Sequence, residues 1–119
     1  MTINDLFETN VKRCAHWHPG GIEEWSPLEW AGAMAGEAGE AANAAKKLKR
    51  LDTSLPRIND GDRHYADHEA AATAVAKEVA DTIIYGLLLM ARVGVTDPEA
   101  VIREVFNRKS DEYGFAEKL

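Results

Sequence analysis

Four acids stand out by type and spacing: Glu37 and Glu40 in the run Gly36-Glu37-Ala38-Gly39-Glu40, and Glu78 and Asp81 in the run Glu78-Val79-Ala80-Asp81. On a helix, residues three apart lie about 60° apart around the axis, so each pair turns both carboxylates to one side. Such a pair can hold a cation between its oxygens. A solvated helix face gains from a lysine or arginine four residues after an acid. Here those positions hold Ala41, Ala44, Thr82 and Tyr85, and only Lys77, four before Asp81, offers a partner. Like charges at this spacing repel, so two unpaired acidic pairs inside alanine-rich helices are costly unless a cation neutralises them.

Carboxylates without cysteine or a well-placed histidine select hard ions. Magnesium, which binds to few carboxylates and keeps waters, suits a phosphate-bearing substrate, and manganese can substitute. A di-iron carboxylate bundle would need Glu-x-x-His on two helices, and no glutamate here is followed by histidine at that spacing. The run Asn59-Asp60-Gly61-Asp62 lacks the other ligands of a calcium loop and reads as a turn.

The elements that must position these acids are legible from caps and breakers. Ile3, Leu6, Phe7 and Val11 recur at helical spacing and predict a first helix from Thr2 to about Ala15. The stretch His16 to Trp25, with Pro19, Gly20 and Gly21 among aromatics, predicts an ordered loop. Its His16 and His18, beside Trp17, read as surface or packing residues rather than ligands. Ser26, Pro27 and Glu29 form a capping-box start for a second helix running to Leu51. Its glycines and alanines imply close helix contacts. Trp25 and Trp30 flank that start and read as core, with stacking on a base as the alternative.

Residues Asp52 to Asp67, rich in Asp, Asn, Gly and Pro, predict a long exposed connection. A third helix follows from about Asp67 to Val93, closed by Gly94. It is apolar nearly all round after Asp81, which predicts the most buried position. Thr96, Pro98 and Glu99 signal the cap of a fourth helix, with Val101, Ile102, Val105 and Phe106 as its stripe and Gly114 as its stop. No segment alternates with period two, so the expected fold is all-α, a four- to five-helix bundle, with residues 1–119 as one domain.

A formal net charge of −6 argues against duplex nucleic acid as a partner. Cys14 is the one cysteine, which excludes an intramolecular disulfide and a cysteine-held zinc cluster. The first residues lack the pattern of a secretory signal, and the longest apolar stretch, Ile83 to Ala91, is too short for a bilayer, so no membrane partner and a cytoplasmic location are expected.

With Glu37-x-x-Glu40 on one helix and Glu78-x-x-Asp81 on another, the chain resembles the MazG-like all-α nucleotide pyrophosphohydrolase superfamily, which includes the dCTP pyrophosphatases and dimeric all-α dUTPases. The resemblance covers the helix order from Ser26 to about Tyr113. Many members carry a further glutamate just before the first motif acid. Gly36 stands there instead, as in the Gly-Glu-x-Gly-Glu form of the dCTP pyrophosphatase branch. The resemblance implies magnesium bound to Glu37, Glu40, Glu78 and Asp81, with these acids catalytic through the metal-held water. It implies attack at the α-phosphorus of a nucleoside or deoxynucleoside triphosphate, releasing pyrophosphate, and a homodimer, with a homotetramer as the alternative. It also implies a phosphate-touching pair in the fourth helix, matched here by Arg103 and Asn107 with arginine replacing lysine, and Lys109 as a weaker helper.

Two further substrate contacts follow from spacing. Lys47 lies seven residues after Glu40, on nearly the same face, and can reach phosphate; a solvated basic helix end is the alternative. Tyr85, one turn beyond Asp81, can pack on a base or sugar, or simply in the core. A non-enzymatic rival keeps the same helices: an acidic helical module that binds a nucleotide or a protein partner.

Overall fold

A computed structural model describes residues 1–53 and 67–119, the side chains of 52 and 53 excepted. Of the expected connection from Asp52 to Asp67, residues 54–66, with the Asn59–Asp62 turn, lie outside the described residues; α2 runs two residues past Leu51, to Thr53, and Asp67 accepts from the Ala70 amide at 2.8 Å at the start of α3. Four α-helices, α1 (Ile3–Cys14), α2 (Pro27–Thr53), α3 (His68–Arg92) and α4 (Pro98–Tyr113), and a 3₁₀ turn at Gly21–Glu24 make up the described elements, with no strand among them. No helix among the described residues is long and apolar enough to cross a membrane. The chain forms two compact units, residues 1–27 with 87–119 and residues 28–86.

In the first unit, α1 opens on a full capping box. Thr2 Oγ1 accepts from the Asp5 amide at 3.0 Å while the Asp5 carboxylate accepts from the Thr2 amide at 2.8 Å. The buried face of α1 is Phe7, Asn10 and Cys14, a stripe rotated from the expected one: Ile3 is exposed and Leu6 and Val11 are half-buried. Asn10 holds a core place because its carbonyl accepts from Arg13 Nη2 at 3.3 Å, a satisfaction that periodicity cannot foresee.

The fourth helix begins one residue later than the Thr96 signal suggested. Asp97 is its N-cap, accepting from the Ala100 amide at 3.0 Å, with Pro98 fully buried behind it. Asn4 of α1 ties into this cap. Its Nδ2 donates to Asp97 Oδ1 at 3.0 Å, its Oδ1 accepts from the Glu99 amide at 3.2 Å, and its own amide donates to Glu99 Oε1 at 3.1 Å. Glu99, read from sequence as the capping-box partner, thus reaches α1 instead. Gly114, at φ +70°, closes the helix in the left-handed conformation, as its type suggested.

The His16–Trp25 stretch is ordered, as its aromatics implied. His18 packs edge-on against Trp25 with ring centroids 4.5 Å apart, and Arg92 Nε donates to the Trp25 carbonyl at 2.7 Å while its Nη1 meets Glu23 at 3.3 Å. Trp17 is 66% exposed, with Arg13 stacked 5.3 Å over its ring.

In the second unit, Trp30 is fully buried and Ala44 and Ala71 are core. The Trp30 and Tyr85 rings lie 6.4 Å apart and tilted by 41°, pinning α2 to α3. The glycines of α2 do not mediate a tight approach: a Cβ at Gly32, Gly36 or Gly39 would meet nothing within 4 Å. The close approach comes from the other helix, where Gly86 would set a Cβ 3.3 Å from Met34 Sδ. Nor is α3 buried all round, because Val79 and Ile83 are 44% and 53% exposed while Leu87 and Leu88 are buried.

Candidate metal centre

The acids come together on α2 and α3 within residues 28–86. Glu37, Glu78 and Asp81 each present an oxygen within 4.8 Å of the others. Glu37 and Glu78 are half-buried and Asp81 is exposed. The i, i+3 spacing sets Glu78 and Asp81 on one side of α3. The packing of Met34 on Gly86 and of Trp30 on Tyr85, about one and two turns before Glu37 on α2, fixes α2 so that Glu37 meets that side. The Thr82 hydroxyl donates to the Glu78 carbonyl at 3.0 Å, so it is turned back on its own helix between the acids and Tyr85.

Glu40, one turn beyond Glu37, is exposed and stands outside the three whose oxygens converge. Its charge is still felt at Glu37. Burial, followed by the charges of Asp81, Glu78 and Glu40, pushes the Glu37 carboxyl above its ordinary value. Among the described residues none of the four acids forms an ion pair with a lysine or arginine, Lys77 included. A set of three converging, uncompensated carboxylates has the donor chemistry of a hard divalent cation.

The other sequence-nominated residues fall in different surroundings. Lys47 is half-buried further along α2, and Tyr85 is half-buried against Trp30. Arg103 and Asn107 belong to the unit of residues 1–27 and 87–119. Arg103 is exposed, and its charge helps to hold Asp97 below the ordinary aspartate value, after the hydrogen bonds from Asn4 and from the Ala100 amide. Asn107 uses both ends of its amide on the backbone of Leu119: Nδ2 donates to the carbonyl at 3.1 Å and Oδ1 accepts from the amide at 2.8 Å. Lys109 is spent on Glu112, at 3.1 Å, and on the face of Tyr113. Nothing in the sequence pointed to Leu119, since a backbone partner carries no side-chain signal.

Compared with known protein families, with characterised proteins and with solved structures, the chain finds no match.

Proposed function

We propose that the protein is a magnesium-dependent nucleotide pyrophosphohydrolase of the MazG-like, all-α type, converting a nucleoside or deoxynucleoside triphosphate to its monophosphate and pyrophosphate. The observation that carries this reading is the convergence of Glu37, Glu78 and Asp81 from two helices, with no lysine or arginine among the described residues paired to them. Three carboxylates held this close repel, and Glu37 already resists ionisation; an arrangement that costs stability is best explained by a ligand that reverses the cost. When bound, magnesium or manganese would supply Lewis acidity toward phosphate oxygens and acidify water at neutral pH.

The chain's own groups divide the remaining work. Glu37, Glu78 and Asp81 hold the cation, with Glu40 adding negative potential beside them. Lys47 offsets charge that the metal leaves on the triphosphate, and the resemblance matches Arg103 and Asn107 to phosphate contacts. An arginine clamps phosphate in two places where a lysine makes a point contact, so Arg103 serves in place of the lysine that the resemblance would put there. Tyr85 packs on the base or sugar. No side chain need attack phosphorus, since positioning and charge neutralisation are what phosphoryl transfer chiefly requires.

A homodimer, with a homotetramer as the alternative, belongs to the same reading and is supported by Val79 and Ile83 exposed on α3. Hydrolysis in ¹⁸O-labelled water tests the reaction itself. Label in the nucleoside monophosphate is expected; label in pyrophosphate, or in free phosphate, would place the attack on another phosphorus and overturn the assignment.

A further inference from the structure

Gly86 stands inside α3, where a glycine weakens the helix by about 1 kcal/mol relative to alanine. Its backbone does not ask for glycine, since the positive-φ glycines are Gly21, Gly94 and Gly114. Space does: a Cβ at Gly86 would stand 3.3 Å from Met34 Sδ, closer than such atoms ordinarily approach, whereas Gly32, Gly36 and Gly39 of α2 have room for one. Glu37 follows Met34 by three residues, one turn along the same side of α2, while Glu78 and Asp81 ride on the helix that carries Gly86. The depth at which Met34 beds on Gly86 therefore sets how near Glu37 comes to the other two acids. A side chain at Gly86 would displace Met34 by a few tenths of an ångström. Magnesium holds oxygens at about 2.0–2.1 Å in near-ideal octahedral geometry and calcium at about 2.3–2.6 Å in a looser one, so the displacement matches the difference between the two ions.

We propose that the contact of Gly86 with Met34 is a spacer that sets the ion preference of the three acids, holding Glu37 close enough to Glu78 and Asp81 to favour an ion of magnesium's size over one of calcium's. The inference rests on the reading of these acids as a cation centre. Gly86 touches no ion and acts through Met34 and α2, so it is a positioning residue. All the residues involved lie within the unit of residues 28–86, and the oxygens they position already converge to within 4.8 Å.

The test titrates the full-length, metal-free chain with magnesium chloride and with calcium chloride in a calorimeter, no nucleotide being present. Parent protein is compared with Gly86→Ala and with Gly86→Ala combined with Met34→Ala. Alanine suits a helix interior and the crowded atom belongs to a flexible side chain, so Gly86→Ala is expected to keep its helical content by circular dichroism. The ratio of magnesium to calcium affinity should fall about tenfold in Gly86→Ala, through weaker magnesium binding, as when a residue that orients metal ligands is changed. It should return to the parent value once Met34→Ala makes room. Met34→Phe, which adds bulk to the same contact from α2, should move the ratio in the same direction and decides the matter if Gly86→Ala does not fold. A glycine needed only for packing would lower both affinities together or neither. That outcome, a parental ratio in Gly86→Ala or Met34→Phe, or no recovery in the double variant would overturn the spacer alone. Absence of magnesium binding by the parent would instead overturn the metal reading beneath it.

Discussion

At the junction of α1 and α4, Asp97 accepts from Asn4 Nδ2 and the Ala100 amide, and Asp5 is bonded to Thr2; both aspartates sit below their ordinary carboxylate values. Across α2 and α3, Glu37 meets Glu78 and Asp81 with no donor of comparable strength among the described residues, and its carboxyl sits above its ordinary value. The same chemical group has opposite consequences in the two regions. Where donors surround it, the charged form stabilises helix starts. Where other carboxylates surround it, the charged form opposes folding, a cost that a cation would relieve on the proposed reading.

The largest effect that should separate the regions is on turnover. Glu37→Gln, Glu78→Gln and Asp81→Asn are each expected to lower it by orders of magnitude with helical content retained, and Glu40→Gln, outside the converging set, by less. Turnover measured with circular dichroism checks this; near-normal turnover in any one of the three removes that residue from the centre. Smaller, and confined to substrate, is the effect of Arg103→Ala or Asn107→Ala. Each should reduce kcat/KM roughly ten- to a hundredfold, the loss of one charge-assisted or bidentate contact, while calorimetry shows magnesium binding to the free protein unchanged.

Asp97→Ala and Asn4→Ala should do the reverse, lowering the melting temperature by a few degrees through the lost cap and its tie to α1 while leaving the kinetics of folded protein alone. The smallest expected effect is one of pH. Because the Glu37 pKa is raised in the folded state, the stability linked to this group is fully present in acid and is lost as pH rises through the raised value. Metal-free Glu37→Gln protein should therefore melt above the parent at neutral pH, with the gap closing in acid. For Asp5 and Asp97, whose values are lowered, the linked stability is present above the ordinary aspartate range and is lost as pH falls through the lowered values. Thermal scans across the acid range give both slopes.

How much of this was legible depended on whether the signal sat in side-chain type or in geometry. Pro27, Gly94 and Gly114 marked helix ends through properties that any context respects, and the described helices begin or end beside them. The three converging acids were legible because an i, i+3 pair fixes a direction and the missing i+4 cation fixes a charge balance. That Glu37 and not Glu40 completes the set was not legible. Spacing treats the two alike, and only the pitch of α2 against α3, set by Trp30, Tyr85, Met34 and Gly86, tells them apart. Thr96 and Asp97 both make credible caps, and the choice fell to Asp97 because Asn4, more than ninety residues away in sequence, bonds to it. The small residues of α2 misled, since a glycine permits close approach without requiring it.

The central claim is that the carboxylates of α2 and α3 make hydrolysis depend on a divalent cation. Release of pyrophosphate by the purified protein, followed across all ribo- and deoxyribonucleoside triphosphates while magnesium is titrated from a chelated baseline, tests it most directly. The expected result is no release under chelator, saturable release as magnesium is added, restoration by manganese, and loss of that dependence in Asp81→Asn protein. Release that is unaffected by the chelator, or no release from any triphosphate at saturating magnesium, would contradict the claim and leave an acidic helical module that binds without catalysing.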